Sequence, residues 1–209
     1  MSVILFGKEY NNAFFTADEH YGSERAILLS RRLPFIHDGK ADTELMDKTL
    51  IENFNSVVTD DDITIHIGDF GDRKNVKKLN GDHVLILGNY EIDEMDEYNK
   101  NGGNYVKWKD SILDDGFKDY TRVLYILPGT FKIGCLENLG IYVCHKPSAC
   151  VKTQRLVYNL FGHIHEKRKI AKYGLNVGVD GNFFFPYSVE DVEFYINAII
   201  NHYDSEVYI

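Results

Sequence analysis

The residues able to do chemistry fall in five short groups, each directly behind a run of apolar or β-branched residues. In chain order they are Asp18-Glu19-His20, Gly68-Asp69-Phe70-Gly71-Asp72, Gly88-Asn89-Tyr90-Glu91, His145, and Gly162-His163-Ile164-His165. The donors in them are Asp18, His20, Asp69, Asn89, His145, His163 and His165: two carboxylates, four imidazoles and one amide. A mixed nitrogen and oxygen set suits Mn, Fe or Zn better than Mg. Seven donors are too many for one tetrahedral ion and suit two ions that share a bridging carboxylate. Taken singly, each group has an ordinary reading, since Gly-Asp turns and isolated histidines are common. The ordered series at predicted strand ends is much harder to explain as packing.

Strands must position these donors, because side chains at the ends of neighbouring strands converge on one edge of a sheet. Runs at 2–6, 13–17, 63–69, 83–87, 118–127, 141–144, 155–161 and 175–179 predict strands, with further β-like runs at 105–109 and 131–136. Residues 8–12 and 80–82 read as turns and 35–40 as a loop. The clearest helix is 41–58, where Leu45, Met46, Leu50, Ile51, Phe54, Val57 and Val58 form one stripe. Shorter helices are predicted from a Ser23 cap to 29, over 73–79 and over 91–100. Ser188 with Asp191 makes an imperfect capping box for a last helix carrying Val192, Ile196, Ile199 and Ile200 on one face. Strands and helices alternate in the first half and hairpins dominate the second. The pattern is α/β, with a mixed sheet or a pair of packed sheets.

The 209 residues suit a single domain, 1–209, and the net charge of −9 argues against broad binding to nucleic-acid backbone or anionic membrane. Cys135, Cys144 and Cys150 read as reduced thiols, not as a disulfide framework. No signal pattern and no bilayer-length apolar run is present, so the expected location is cytoplasmic. His66 and His83 read as satisfied sheet residues, and His37 and His202 as surface residues.

The five ordered motifs resemble those of the calcineurin-like metallophosphoesterases, whose order is D-x-H, G-D-x-x-D, G-N-H-[DE], H, G-H-x-H. The likeness spans residues 13–181 and extends to softer features of the small bacterial and phage branch, the helical stretch 46–53 and Asn176-Val177-Gly178-Val179-Asp180. It implies a four-layer αββα sandwich of two mixed β-sheets flanked by helices. It also implies two divalent ions, manganese first, with iron, zinc, nickel or magnesium as alternatives. Carried over, one ion would take Asp18, His20 and His165, the other Asn89, His145 and His163, with Asp69 between them. The implied nucleophile is a metal-bridging hydroxide attacking phosphorus in line.

The chain departs from the family at Tyr90, where an imidazole is usual. A phenol, with a reference pKa of about 10, is a poorer proton donor at neutral pH. Tyr90, Glu91 and Asp72 are therefore the catalytic candidates beside the metal ligands: Tyr90 as a hydrogen-bond donor, Glu91 as the acid behind it, Asp72 as a support for the loop or a ligand imidazole. Arg31, Arg32 and Arg73 read as solvated arginines, with phosphate binding as the alternative. The expected function is a metal-dependent phosphodiesterase on a small nucleotide-like substrate. The alternatives are a catalytically weakened metal-binding scaffold acting through a protein partner, and a nuclease on single-stranded nucleic acid.

Overall fold

The structure is a computed structural model and describes residues 2–121, 123–126, 140–152 and 157–208. The chain opens on a hairpin, β1 (Val3–Leu5) and β2 (Lys8–Tyr10), followed by β3 (Ala13–Thr16). Next come α1 (Glu24–Leu29), the short hairpin β4 (Ile36–His37) and β5 (Lys40–Ala41), and α2 (Thr43–Val57). Then follow β6 (Ile63–Ile67), β7 (Asp82–Ile86), α3 (Asn89–Lys100), α4 (Tyr105–Asp115), β8 (Asp119–Thr121) and β9 (Val123–Ile126). The last part holds β10 (Gly140–Cys144), β11 (Val157–Phe161), β12 (Ile170–Ala171), β13 (Gly174–Asn176), β14 (Tyr187–Ser188) and α5 (Val189–His202).

The fold is α/β, with two five-stranded mixed sheets, ordered β14-β3-β6-β7-β8 and β12-β13-β11-β10-β9. In the first, β3, β6, β7 and β8 run parallel; in the second, β10, β11 and β13 do. Strand alternation divides the residues between two cores. Ile63, Ile65 and Ile67 of β6 and Val84 and Ile86 of β7 join Ile141, Val143, Leu160 and Leu175 in an apolar layer between the sheets. Leu85 of β7 faces the other way, onto Met46, Leu50 and Phe54 of α2, Trp108 and Ile112 of α4, and Met95 of α3. α5 adds Val192, Ile196 and Ile199 to the intersheet layer.

The expected four layers are seen in part. Helices cover the outer face of the first sheet. Among the described residues, the outer face of the second carries a 3-10 turn, Pro147–Ala149, and the loop behind it, where Val151 exchanges backbone hydrogen bonds with the Asn159 side chain. No helix of the described residues is long and apolar enough to cross a membrane.

Local rules account for most boundaries. Asp42 caps α2 by accepting from Leu45 N at 2.9 Å, and Ser188 and Asp191 form a complete capping box. The stripe on α2 is narrower than expected: Leu45 and Val57 are exposed. Ile200 of α5 is exposed too. Residues 8–12 are not only a turn, since Lys8–Tyr10 pairs with Val3–Leu5, and 35–40 contains a hairpin. The largest correction is 105–109. Tyr105, Val106 and Trp108 are strand-favouring types, yet the segment is helical. Asn104 caps it, and Trp108 and Ile112, four residues apart, bury one face. The predicted strand 131–136 lies outside the described residues, as does Cys135. Cys144 is buried, Cys150 half-buried, and their Sγ atoms are 3.5 Å apart.

Candidate metal centre

Every parallel strand that was expected to deliver a donor does so at its C-terminal end. Asp18 and His20 follow β3, Asp69 follows β6, Asn89 follows β7, His145 follows β10, and His163 and His165 follow β11. Six of the seven form two compact groups, Asp18–His20–His165 and Asp69–His145–His163, with the ligand atoms of each within 4.8 Å of one another. Asn89 joins the second group, its Oδ1 at 3.1 Å from His145 Nε2. Asp69 Oδ2 faces both: it lies 3.4 Å from His145 Nε2 and 3.7 Å from His20 Nε2.

The backbone is bent to achieve this. Among the described residues, ten non-glycine residues have positive φ, and Asp18, His20, Asp69, His163 and His165 are five of them. Each such residue costs on the order of 1–3 kcal/mol, a strain that gathers where function needs it. Cross-links hold the loops. The bridge between Ala17 and Gly178 joins the strand ends of the two sheets, and His163 N donates to both Asp18 oxygens, at 3.0 and 2.8 Å. Gly162 must lack a side chain, since a Cβ there would overlap the Asp18 carboxylate.

Burial sets the electrostatics. It pushes the Asp18 carboxyl up to about 7, against the pull of His145 and His165. It drives His20 down to about 3, although the nearby Asp69 works the other way. Burial also opposes ionisation of Asp69, but the His145 hydrogen bond and charge and the Tyr90 N–H outweigh it, and Asp69 lies below its usual range. His20 Nδ1 is buried without a hydrogen-bond partner. Carboxylates and imidazoles packed this closely, one with an orphaned nitrogen, fit divalent cations, whose charge would reverse the desolvation balance.

The supporting residues were only partly legible. Glu91 does not face the cleft: buried, it accepts from Asp69 N, Phe70 N and Gly88 N at 2.8–2.9 Å and so clamps the Asp69 and Asn89 loops together. Asp72 caps the 3-10 turn Arg73–Lys78 through Lys74 N; it fixes the loop and is not a group of the cleft. Tyr90 does line the cleft, with its ring edge-on to His20 at 4.7 Å between centroids. Arg32 is neither solvated nor free for phosphate. It is buried, paired with Asp180 at 2.8 and 3.0 Å, and donates to the carbonyls of Asp18 and Glu19. Asp180 in turn accepts from His165 Nδ1 at 2.7 Å. Arg73 is held by Glu94 and Asp115, while Arg31 is exposed.

Glu19, inside the first motif, begins a buried chain. Its Oε1 is 2.6 Å from His66 Nδ1, His66 Nε2 is 3.1 Å from His83 Nδ1, and His83 Nε2 faces the Leu79 carbonyl at 3.4 Å. A carbonyl accepts only. His83 therefore donates from Nε2 and accepts at Nδ1, and His66 donates from Nε2; an ionised Glu19 would require a doubly protonated His66, whereas with a neutral His66 it is Glu19 that donates its own proton to Nδ1. Burial agrees, raising Glu19 to about 8 and lowering both histidines to about 3. The pair Glu19–His66 is thus a neutral hydrogen bond, not an ion pair.

No family model matches the chain. Part of it is similar to an uncharacterized protein of Methanocaldococcus jannaschii, 36% identical over 86 residues, covering 37% of this chain and 46% of that protein. The match thus spans about half the length of that relative. A crystal structure of a protein of unknown function from Aquifex aeolicus shares the fold, with a TM-score of 0.59 and 18% identity over 88% of this chain and 98% of the other.

Proposed function

We propose that the chain is a two-metal phosphoesterase of the calcineurin-like kind, acting on a small phosphodiester. The observation that carries this reading is the placement of Asp69 Oδ2 between two Asp/His groups, within 3.7 Å of an imidazole of each. Asp18, His20 and His165 would hold one divalent ion, Asn89, His145 and His163 the other, and Asp69 would be shared. When bound, such ions supply Lewis acidity, making water a nucleophile at neutral pH and offsetting charge on phosphoryl oxygens.

The chain's own part is orientation. Asp180 keeps the His165 proton on Nδ1, and the Ile67 carbonyl does the same for His145 at 2.7 Å, which leaves each Nε2 free as a ligand. Glu91 holds the Asp69 and Asn89 loops at a fixed spacing. The cleft over these groups has a volume of about 240 Å³, which favours a small substrate over a long strand. Its Tyr90 supplies no ready proton, so a leaving group that departs as a stable anion suits the site.

The test is hydrolysis of bis(p-nitrophenyl) phosphate and p-nitrophenyl phosphate by manganese-loaded protein. The expected result is turnover of the diester above the monoester. Two bound manganese ions with no turnover of either would instead support a scaffold that binds a partner.

A further inference from the structure

We infer that Arg25 is the group that receives the substrate's phosphoryl oxygen and that Tyr90 is its positioning residue; this rests on the phosphoesterase reading above. Arg25 projects from α1 into the cleft that also exposes His20, Asp69, Asn89, His163 and His165. Its Nη1 donates to Tyr90 Oη at 3.2 Å, and the Tyr90 ring is in turn braced edge-on by His20. The chain has 32 acidic residues, and carboxylates neutralise Arg32 and Arg73. Among the described residues Arg25 has none within ion-pair distance. A guanidinium at the mouth of a phosphoester site, with no carboxylate within ion-pair distance among the described residues, is suited to an anionic oxygen. This assigns Tyr90 a task different from the imidazole it replaces: it holds a cation in place and moves no proton.

The wall behind Arg25 defines the rest of the substrate. Ala26 and Leu29 line the cleft on the same helix, and Leu29 is 71% exposed. An apolar ledge beside a phosphate-binding guanidinium takes a planar or apolar ester substituent. The substrate class inferred is therefore a phosphodiester with one aryl-like or base-like group on the Leu29 side, the Ser30, Glu166 and Lys167 side of the same cleft being polar.

The experiment compares wild type, Arg25→Ala, Arg25→Lys, Tyr90→Phe and the Arg25→Ala/Tyr90→Phe pair, each loaded with manganese and assayed for metal content. Binding of inorganic phosphate is measured by calorimetry, and KM and kcat on bis(p-nitrophenyl) phosphate in parallel. Arg25→Ala is expected to keep its manganese and weaken phosphate binding by about 10–100-fold, with Arg25→Lys recovering part of it. Tyr90→Phe is expected to cost about 2–5-fold alone and nothing further in the Arg25→Ala background, the signature of one residue acting through the other. Equal phosphate binding by manganese-loaded wild type and Arg25→Ala overturns the proposal while leaving the metal reading intact. Failure of the wild type to take up manganese overturns the metal reading, and this proposal with it.

Discussion

The Arg32 guanidinium grips both oxygens of Asp180, Nε to Oδ1 at 2.8 Å and Nη2 to Oδ2 at 3.0 Å, across 148 residues of sequence. Both partners are shielded, with side chains 0% and 4% exposed. The pair stands behind the first donor group: Arg32 ties down the Asp18 and Glu19 carbonyls while Asp180 orients His165. Asp180→Asn should therefore weaken manganese binding by about 10–100-fold with little change in secondary structure. Arg32→Ala should cost about 3–5 kcal/mol of folding stability, because it leaves the buried Asp180 carboxylate with His165 alone and the Asp18 and Glu19 carbonyls without their donor. A manganese titration and urea unfolding of each variant check the two; unchanged metal affinity in Asp180→Asn would remove Asp180 from the site's support.

Asp69 faces both donor groups, so its loss should be felt twice. Asp69→Ala is expected to lower bound manganese from two ions per chain to one or none. His163→Ala, which removes a side chain of one group only and keeps the backbone N–H on Asp18, should leave one ion. Metal analysis after gel filtration separates these outcomes, and two ions retained by Asp69→Ala would rule out a shared carboxylate.

Gly68 has φ +82, and a Cβ on it would sit 2.6 Å from Gly88 Cα and from His145 Nδ1. Backbone and a fixed imidazole cannot yield cheaply. Gly68→Ala should destabilise the chain by at least about 1–3 kcal/mol and displace His145 from its hydrogen bond to Ile67. A thermal midpoint equal to that of wild type would show that the turn can relax.

The neutral Glu19–His66–His83 chain gives a pH signature in metal-free protein. His66 and His83 sit near 3, far below the ordinary 6.5, so the unfolded chain binds more protons between those values and stability falls as pH drops from about 6.5 towards 3. Glu19, raised to about 8 from 4.5, acts oppositely: the folded state keeps its proton longer, and stability falls as pH rises from about 4.5 to 8. His145, raised to about 9 despite burial by its hydrogen bond and attraction to Asp69, adds to the alkaline loss. Glu19→Gln can still donate to His66 Nδ1. It should flatten the decline between pH 6.5 and 8 by up to about 1.4 kcal/mol per pH unit, read from urea midpoints. An unchanged slope would mean that Glu19 is ionised in the folded chain.

The strand-end placement of the candidate donors was legible because each is written locally. An apolar run makes a strand, a glycine permits the bend, and the next polar residue lands on the sheet edge, as at Ile67-Gly68-Asp69 and Phe161-Gly162-His163. The helix over 105–115 was not, because Tyr105, Val106 and Trp108 carry β propensity while the gain from burying Trp108 and Ile112 against the first sheet's helical side appears only when that surface exists. Glu91 misled for a similar reason: its neighbour in sequence is Tyr90, but its partners in space are backbone amides of another loop.

By itself, then, the amino-acid order determined which residue types stand at the strand ends and that the chain alternates as an α/β fold. Tertiary structure alone decided which candidate donors share a pocket, that Asp69 lies between the two groups, that Arg32 is held by Asp180, and that Arg25, hydrogen-bonded to Tyr90, has no carboxylate within ion-pair distance among the described residues. The reason is physical. Strand and turn formation depends on residues a few positions apart. Burial, pairing of charges and convergence of side chains depend on contacts such as Arg32 with Asp180 and Asp18 with His163, which no local pattern encodes.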